Sequence, residues 1–259
     1  MTLFRSIAIA SLVLFLGACR TGTLVTYPSS IEDFKLSSSL TFPEKVSEPV
    51  PAMIIVHGSS GPSARGEQWG ALFRAVGIAT LEIDYFGPRG VDQHSSFQPQ
   101  PVLDVIDAFK YLQTDARIDS NRVGAIGFSR GAGMVITAGN WEPQRMGGKT
   151  LAAVVALYPM CGSDNIVEGD KAPPVLVMIG TKDSYSTPLA CKNLQAAGQA
   201  KGRTVELKVY DGAYHAWDGD WSGNWYHNAI KRTVEIRANP QIRKASEADV
   251  MDFIGRNLF

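Results

Sequence analysis

Ser129 lies in the stretch Gly127-Phe128-Ser129-Arg130-Gly131, directly after the apolar run 123–128. G-x-S-x-G between an apolar strand and a helix is a turn that presents a hydroxyl at a helix N-terminus. The glycines two before and two after it remove Cβ atoms that would collide where strand and helix cross. A second stretch, Gly180-Thr181-Lys182-Asp183, follows the apolar run 174–179. A third, from Tyr210 through His215 to Trp217, follows the run 205–210. A hydroxyl, an imidazole that takes its proton and a carboxylate that orients the imidazole are together the parts of nucleophilic acyl transfer. Each also has a structural alternative: a serine capping a helix, an aspartate capping a turn, a histidine on the surface. Asp211, Asp218 and Asp220 are rival acids, on the histidine's own side of the chain.

For these residues to meet, they must follow strands of one sheet. Strands are expected over 51–56, 78–85, 123–128, 152–158, 174–179 and 205–210, with 40–46 as a candidate edge strand. Helices are expected over 66–76, 102–112, 129–139, 188–202 and 246–258, the last capped by Ser246. Short apolar strands alternating with helices predict an α/β fold: a doubly wound, mostly parallel sheet with helices on both faces. In such sheets ligands bind beyond the carboxyl ends of the strands. The loop after 51–56, His57-Gly58-Ser59-Ser60-Gly61, is of the type that supplies one amide of an oxyanion hole. Ser59 is the expected donor with Ser60 as its rival, and Arg130, the residue after the serine, supplies the other amide. His57 reads as a structural residue of this loop. Tyr85, Met160 and Trp217 are expected to contact substrate, with Arg65, Phe86 and Tyr185 also near strand ends. Trp221, Trp225 and Tyr226 read as the wall of an apolar pocket or as anchors of a long loop.

The chain has 259 residues, 45% hydrophobic and 19% charged, enough for one large domain. Its formal net charge of zero points to no nucleic-acid partner. The four histidines, His57, His94, His215 and His227, show no metal-ligand spacing, so no metal is expected. Arg5 and the apolar run 7–16, followed by Gly17-Ala18-Cys19, form a signal-peptide pattern, too short for a membrane span of about 20 residues. The expected division is a signal over 1–18, a Ser/Thr-rich tether over 19–39 with a first irregular strand, and one domain over 40–259.

The stretches around Ser129, Asp183 and His215, in that chain order, resemble the dienelactone hydrolase family of the α/β-hydrolase superfamily over roughly residues 50–259. The resemblance implies the α/β-hydrolase fold and hydrolysis of a small-molecule ester or lactone without metal or organic cofactor. The family's type enzymes carry cysteine where Ser129 stands, so serine implies an esterase of wider specificity than for dienelactone. A peptidase or acyltransferase on the same residues, or a non-catalytic envelope binding protein, are the alternatives. Leu16-Gly17-Ala18-Cys19 resembles the lipobox of bacterial lipoproteins, which implies cleavage before Cys19 and a diacylglycerol on its sulfur. Arg20, in place of an aspartate, implies an outer-membrane anchor facing the periplasm. In such an exported compartment Cys161 and Cys191, both expected near one end of the sheet, are a candidate disulfide; the alternative is two separate buried thiols.

Overall fold

Runs of aliphatic residues without polar alternation stay out of water only if both faces of the strand are covered. They take that position in the computed structural model, which describes residues 22–95, 99, 101–140, 146–162 and 172–259. Eight strands form one sheet in the order β1-β2-β4-β3-β5-β6-β7-β8. These are β1 (Thr23–Pro28), β2 (Lys35–Thr41), β3 (Val50–Val56), β4 (Ala79–Asp84), β5 (Ile118–Phe128), β6 (Ala153–Leu157), β7 (Val175–Gly180) and β8 (Val205–Tyr210). From β4 to β8 every neighbouring pair is parallel, while β2 runs antiparallel to β4 and β1 antiparallel to β2. Every residue of β3, β6 and β7 is buried.

Among the described residues five α-helices accompany the sheet: α1 (Ala64–Ala75), α2 (Val102–Leu112), α3 (Arg130–Ala138), α4 (Pro188–Ala200) and α5 (Pro240–Leu258). Gly70 of α1 faces Ile55, and Leu258 of α5 faces Gly124, beside Met53. Met53, Ile55 and Gly124 share one face, so α1 and α5 cover that side. Gly139, at the end of α3, meets Val154 on the other side, where α2 packs against α3. The doubly wound, mostly parallel α/β-hydrolase sheet expected from the apolar runs is the one observed.

Several boundaries differ from expectation: β5 starts at Ile118 and not at 123, and the larger differences elsewhere have local reasons. The supposed tether over 19–39 is largely sheet: β1 and β2 form an antiparallel hairpin at its edge, and the strand expected over 40–46 ends at Thr41. Leu36, Ser38 and Leu40 point inward, and the buried Ser38 hydroxyl is matched by Tyr27 OH at 2.7 Å, so a serine-rich stretch pairs without an unmet polar group. The last helix starts at Pro240, not Ser246. Asn239 caps it by accepting from the Ile242 amide at 3.1 Å, and Pro240 takes a first-turn position where its missing N–H costs nothing. Ser246 lies buried in mid-helix, donating to the Arg243 carbonyl and accepting from Trp217 Nε1–H. A separate hairpin, β9 (Gly223–His227) with β10 (Arg232–Ile236), was not foreseen; it turns at Lys231, with φ 51°.

Among the described residues no helix is long and apolar enough to cross a membrane. Residues 1–21, with the expected signal and Cys19, lie outside the described residues.

Cys161, after β6, and Cys191, on α4, form a disulfide, as the shared end of the sheet suggested. It ties the segment following β6 to the helix following β7. Across a sequence separation of 30 residues the cross-link stabilises the fold by roughly 3–4 kcal/mol through the unfolded chain. Reduction is expected to lower the urea midpoint by an amount matching that loss, and Cys161→Ser/Cys191→Ser should melt at the reduced protein's midpoint with or without reductant.

Candidate active site

The site begins where β5 hands over to α3. Ser129 sits at φ 53° and ψ −115°, a conformation an L-residue rarely adopts. The surrounding packing imposes it. A Cβ on Gly127 would stand 2.3 Å from the Gly131 carbonyl oxygen, and one on Gly131 would stand 2.4 Å from the Val56 and His57 carbonyl oxygens. The Ser129 amide donates to the Leu157 carbonyl at 2.9 Å, and its own carbonyl accepts from Ala132 N–H at 3.1 Å to start the helix. The hydroxyl therefore stands at the N-terminus of α3, where exposed amides favour negative charge.

His215 reaches that hydroxyl from the loop after β8. Its Nε2 lies 2.9 Å from Ser129 Oγ, and its Nδ1 lies 2.9 Å from Asp183 Oδ2. A carboxylate only accepts, so Nδ1 carries the proton and Nε2 presents its lone pair to the serine. Asp183 Oδ1 accepts from the amides of Tyr185 (2.7 Å) and Ser186 (3.2 Å), which fixes the carboxylate in the turn after β7. The Ser186 hydroxyl accepts from the Cys161 amide, so the disulfide-bearing segment buttresses the same turn. All three groups are buried: Ser129 is 8% exposed, Asp183 7% and His215 3%.

The rival acids have other partners. Asp218, fully buried, accepts from Arg65 Nε (3.2 Å), Trp69 Nε1 (2.8 Å) and Tyr158 OH (2.7 Å). It thereby links α1 to Tyr158, whose ring lies edge-on to His215 at 4.8 Å. Asp220 pairs with Arg243, and Asp211 accepts from the Thr181 hydroxyl. The support of His215 by Tyr158 and Asp218 was not legible in sequence, since neither residue stands in a motif.

The loop after β3 abuts the serine. A Cβ on Gly58 would lie 3.3 Å from Ser129 Cβ, so glycine here lets the backbone come against that serine. His57 is structural, as expected: its ring stacks on Tyr85 at 3.8 Å, and Nδ1 bonds the Gly58 carbonyl at 2.8 Å. A cavity of about 470 Å³ opens between this loop and the hairpin, walled by Ser59, Ser129, Tyr158, His215, Trp221 and Trp225. Arg65 also lines it.

The three expected substrate contacts fall elsewhere. Tyr85 is fully buried beneath the loop, its hydroxyl shared between the His57 and Gly58 carbonyls at 3.1 and 3.3 Å. Trp217 is fully buried against Tyr158 and Tyr210, its indole N–H spent on Ser246. Met160 is exposed but is not among the residues lining the cavity. Proximity to a strand end in sequence does not say which way a side chain turns. Phe86 packs edge-on against His57, and Tyr185 lies 4.9 Å from the His215 ring. Trp221 and Trp225 form a wall of the cavity, one of the two readings open from sequence.

The model of the dienelactone hydrolase family matches residues 90–255, more than half of the chain. The chain belongs to the dienelactone hydrolase family. Family membership makes it a carboxylic ester hydrolase. The match spans Ser129, Asp183 and His215 but stops short of the Gly58–Ser59 loop. Similar solved structures include a protein of Klebsiella pneumoniae subsp. pneumoniae MGH 78578 assigned as a dienelactone hydrolase: 17% identity, 90% of this chain and 98% of that one covered, TM-score 0.68. A thermophilic esterase, Est2, from Thermogutta terrifontis covers 90% of this chain and 91% of its own at 14% identity and TM-score 0.68. The carboxylesterase Cest-2923 of Lactobacillus plantarum WCFS1 covers 92% and 98% at 14% identity, also with TM-score 0.68. At these identities the likeness concerns the fold. No curated protein sequence matches the chain.

Beneath the Gly58–Ser59 loop, Glu82 of β4 faces the first turn of α1. A Cβ on Gly66 would collide with its carboxylate, so the helix is seated directly on the acid. Burial, with Glu67 and Asp84 nearby, pushes the Glu82 carboxyl up from the ordinary 4.5 to about 7. The folded state then holds a proton that the unfolded chain releases, so Glu82 costs stability progressively as pH rises from about 4.5 to 7. Glu82→Gln is expected to flatten the decline across that window, read from urea midpoints at successive pH values.

Proposed function

We propose that the chain cleaves carboxylic esters or lactones through an acyl-enzyme on Ser129, with His215 as general base and acid and Asp183 as its orienting carboxylate. The continuous chain of two 2.9 Å hydrogen bonds, Ser129 Oγ to His215 Nε2 and His215 Nδ1 to Asp183 Oδ2, carries this reading. As Ser129 Oγ bonds to the ester carbonyl carbon, its proton passes to His215 Nε2 and the carbonyl electrons move onto oxygen. The amides of Ser59 and Arg130 receive that oxyanion. The tetrahedral species collapses, the proton goes from His215 to the leaving alkoxide, and the alcohol departs. Water, deprotonated by His215, then attacks the acyl carbon and frees the acid with Ser129 restored. For a lactone the leaving hydroxyl stays tethered to the acyl group. The apolar walls given by Trp221 and Trp225 favour an ester with an apolar or aromatic portion.

Ser129→Ala should abolish both hydrolysis of p-nitrophenyl esters and labelling by a fluorophosphonate probe. Asp183→Asn should lower kcat by about 10⁴-fold while the protein stays folded, because the imidazole then loses its correct tautomer. Undiminished labelling of Ser129→Ala refutes the assignment. Turnover of aminoacyl substrates in preference to esters would favour a peptidase or acyltransferase.

The same protein is proposed to be exported and lipid-anchored through Cys19 in the bacterial envelope, facing the periplasm. The Cys161–Cys191 disulfide supports this, since such bonds persist in oxidising compartments. The apolar run ending at Cys19 supports it from the sequence side. Because β1 starts at Thr23, the anchor would hold the β1–β2 edge close to the bilayer. Metabolic labelling with a palmitate analogue should mark the wild-type protein and leave Cys19→Ala unmarked.

A further inference from the structure

His227, at the end of β9, takes no part in the proton transfer described above, yet it is buried beside the nucleophile. It is 1% exposed, and its Nε2 lies 3.0 Å from Ser59 Oγ. The Trp225 ring lies 4.7 Å away, and the Tyr185 ring stacks parallel to it at 6.0 Å. Its Nδ1 is buried and has no hydrogen-bond partner among the described residues. Burial, reinforced by the nearby Arg130 and His215, holds this imidazole below its usual range, so the ring is neutral at pH 7 and carries one proton.

The surroundings decide which nitrogen holds that proton. On Nδ1 it would be a buried N–H with no hydrogen-bond acceptor among the described residues. On Nε2 it is donated to Ser59 Oγ, and only an acceptor is left unmet, which folded proteins tolerate better. Ser59 Oγ then accepts from His227, and its own hydrogen has no acceptor among the described residues. Ser59 lines the same cavity as Ser129. The preceding residue, Gly58, is the one whose Cβ would stand 3.3 Å from Ser129 Cβ. The hydroxyl is therefore a donor held one residue from the point where the loop meets the nucleophile.

Resting on the acyl-transfer reading above, we propose that the Ser59 hydroxyl is a third, side-chain donor to the oxyanion, and that His227 is the positioning residue that aims it. No proton is transferred: His227 donates to Ser59 Oγ, and Ser59 donates to the negative oxygen that forms as Ser129 attacks. The hairpin β9–β10 thereby becomes part of the catalytic apparatus, because it delivers His227 to the loop after β3.

The test measures kcat and KM separately on p-nitrophenyl acetate, with a thermal melt for each variant. Ser59→Ala keeps the backbone amide and removes only the hydroxyl. It should lower kcat by on the order of 100-fold and leave KM nearly unchanged, since the bond is made only to the transition state. His227→Leu should reproduce that loss, and adding it to Ser59→Ala should cost nothing further, because the two act as one unit. His227→Gln, whose amide N–H can reach the serine oxygen, should recover most of the activity. If His227→Leu fails to fold, the contrast between Ser59→Ala and His227→Gln still decides. A kcat for Ser59→Ala within about threefold of wild type overturns the proposal, as do independent, multiplying effects of the two substitutions. Ser129→Ala serves as the reference: activity surviving there would overturn the acyl-transfer reading itself, whereas an unaffected Ser59→Ala would leave that reading intact.

Discussion

The close crossing of α3 over β3 and β5 is the constraint on which the site depends. At Gly127 and Gly131 the backbones approach so tightly that any side chain would overlap a carbonyl, and the only path between strand and helix puts Ser129 at φ 53°. Backbone in such a region costs on the order of 1–3 kcal/mol and persists only where packing over-determines it. Here the packing belongs to the buried core, where every residue of β3 is buried. The core holds the strain, and the strain holds the hydroxyl clear of the sheet, at a helix N-terminus and in reach of His215.

Around that point the molecule uses polar groups in linked sets. Asp183 is held by two amides of its own turn, and that turn is in contact with the segment closed by the disulfide. Asp218 satisfies three donors from α1 and from Tyr158, and Tyr158 supports the imidazole edge-on. Tyr85 braces the carbonyls of the loop that faces Ser129. The buried carboxylates Asp183 and Asp218 and the Tyr85 hydroxyl are each matched by a partner, as a low-dielectric interior demands. The cost of leaving any one of them unpaired ties the orientation of Ser129, His215 and the loop after β3 to the fold as a whole.

Much of the fold was legible because strands buried on both faces must be written as continuous apolar runs, and a helix packed on a sheet must carry apolar residues at 3.6 spacing. Val102–Leu112 and Val205–Tyr210 have the bounds expected. The elbow was legible for a related reason: its backbone geometry admits almost nothing but glycine at positions 127 and 131. The edge hairpin was not, because Lys35–Thr41 buries a serine, and whether Ser38 finds Tyr27 depends on pairing between strands. The start of α5 was missed because Asn239-Pro240 lies well before the apolar positions that mark the helix face.

The sequence by itself determined the parallel core strands and the three stretches that carry Ser129, Asp183 and His215, since local packing and turn geometry restrict which residues can occupy those places. Only the tertiary structure decided that Asp183 and not Asp218 serves the histidine, that Tyr85 and Trp217 are buried supports, that Trp221 and Trp225 wall the cavity, and that His227 reaches Ser59. These outcomes depend on the direction a side chain takes from its backbone and on which distant element meets it. Residues 168 positions apart, such as Ser59 and His227, leave no mark on each other in the local pattern, because their contact is made by the folding of the whole chain.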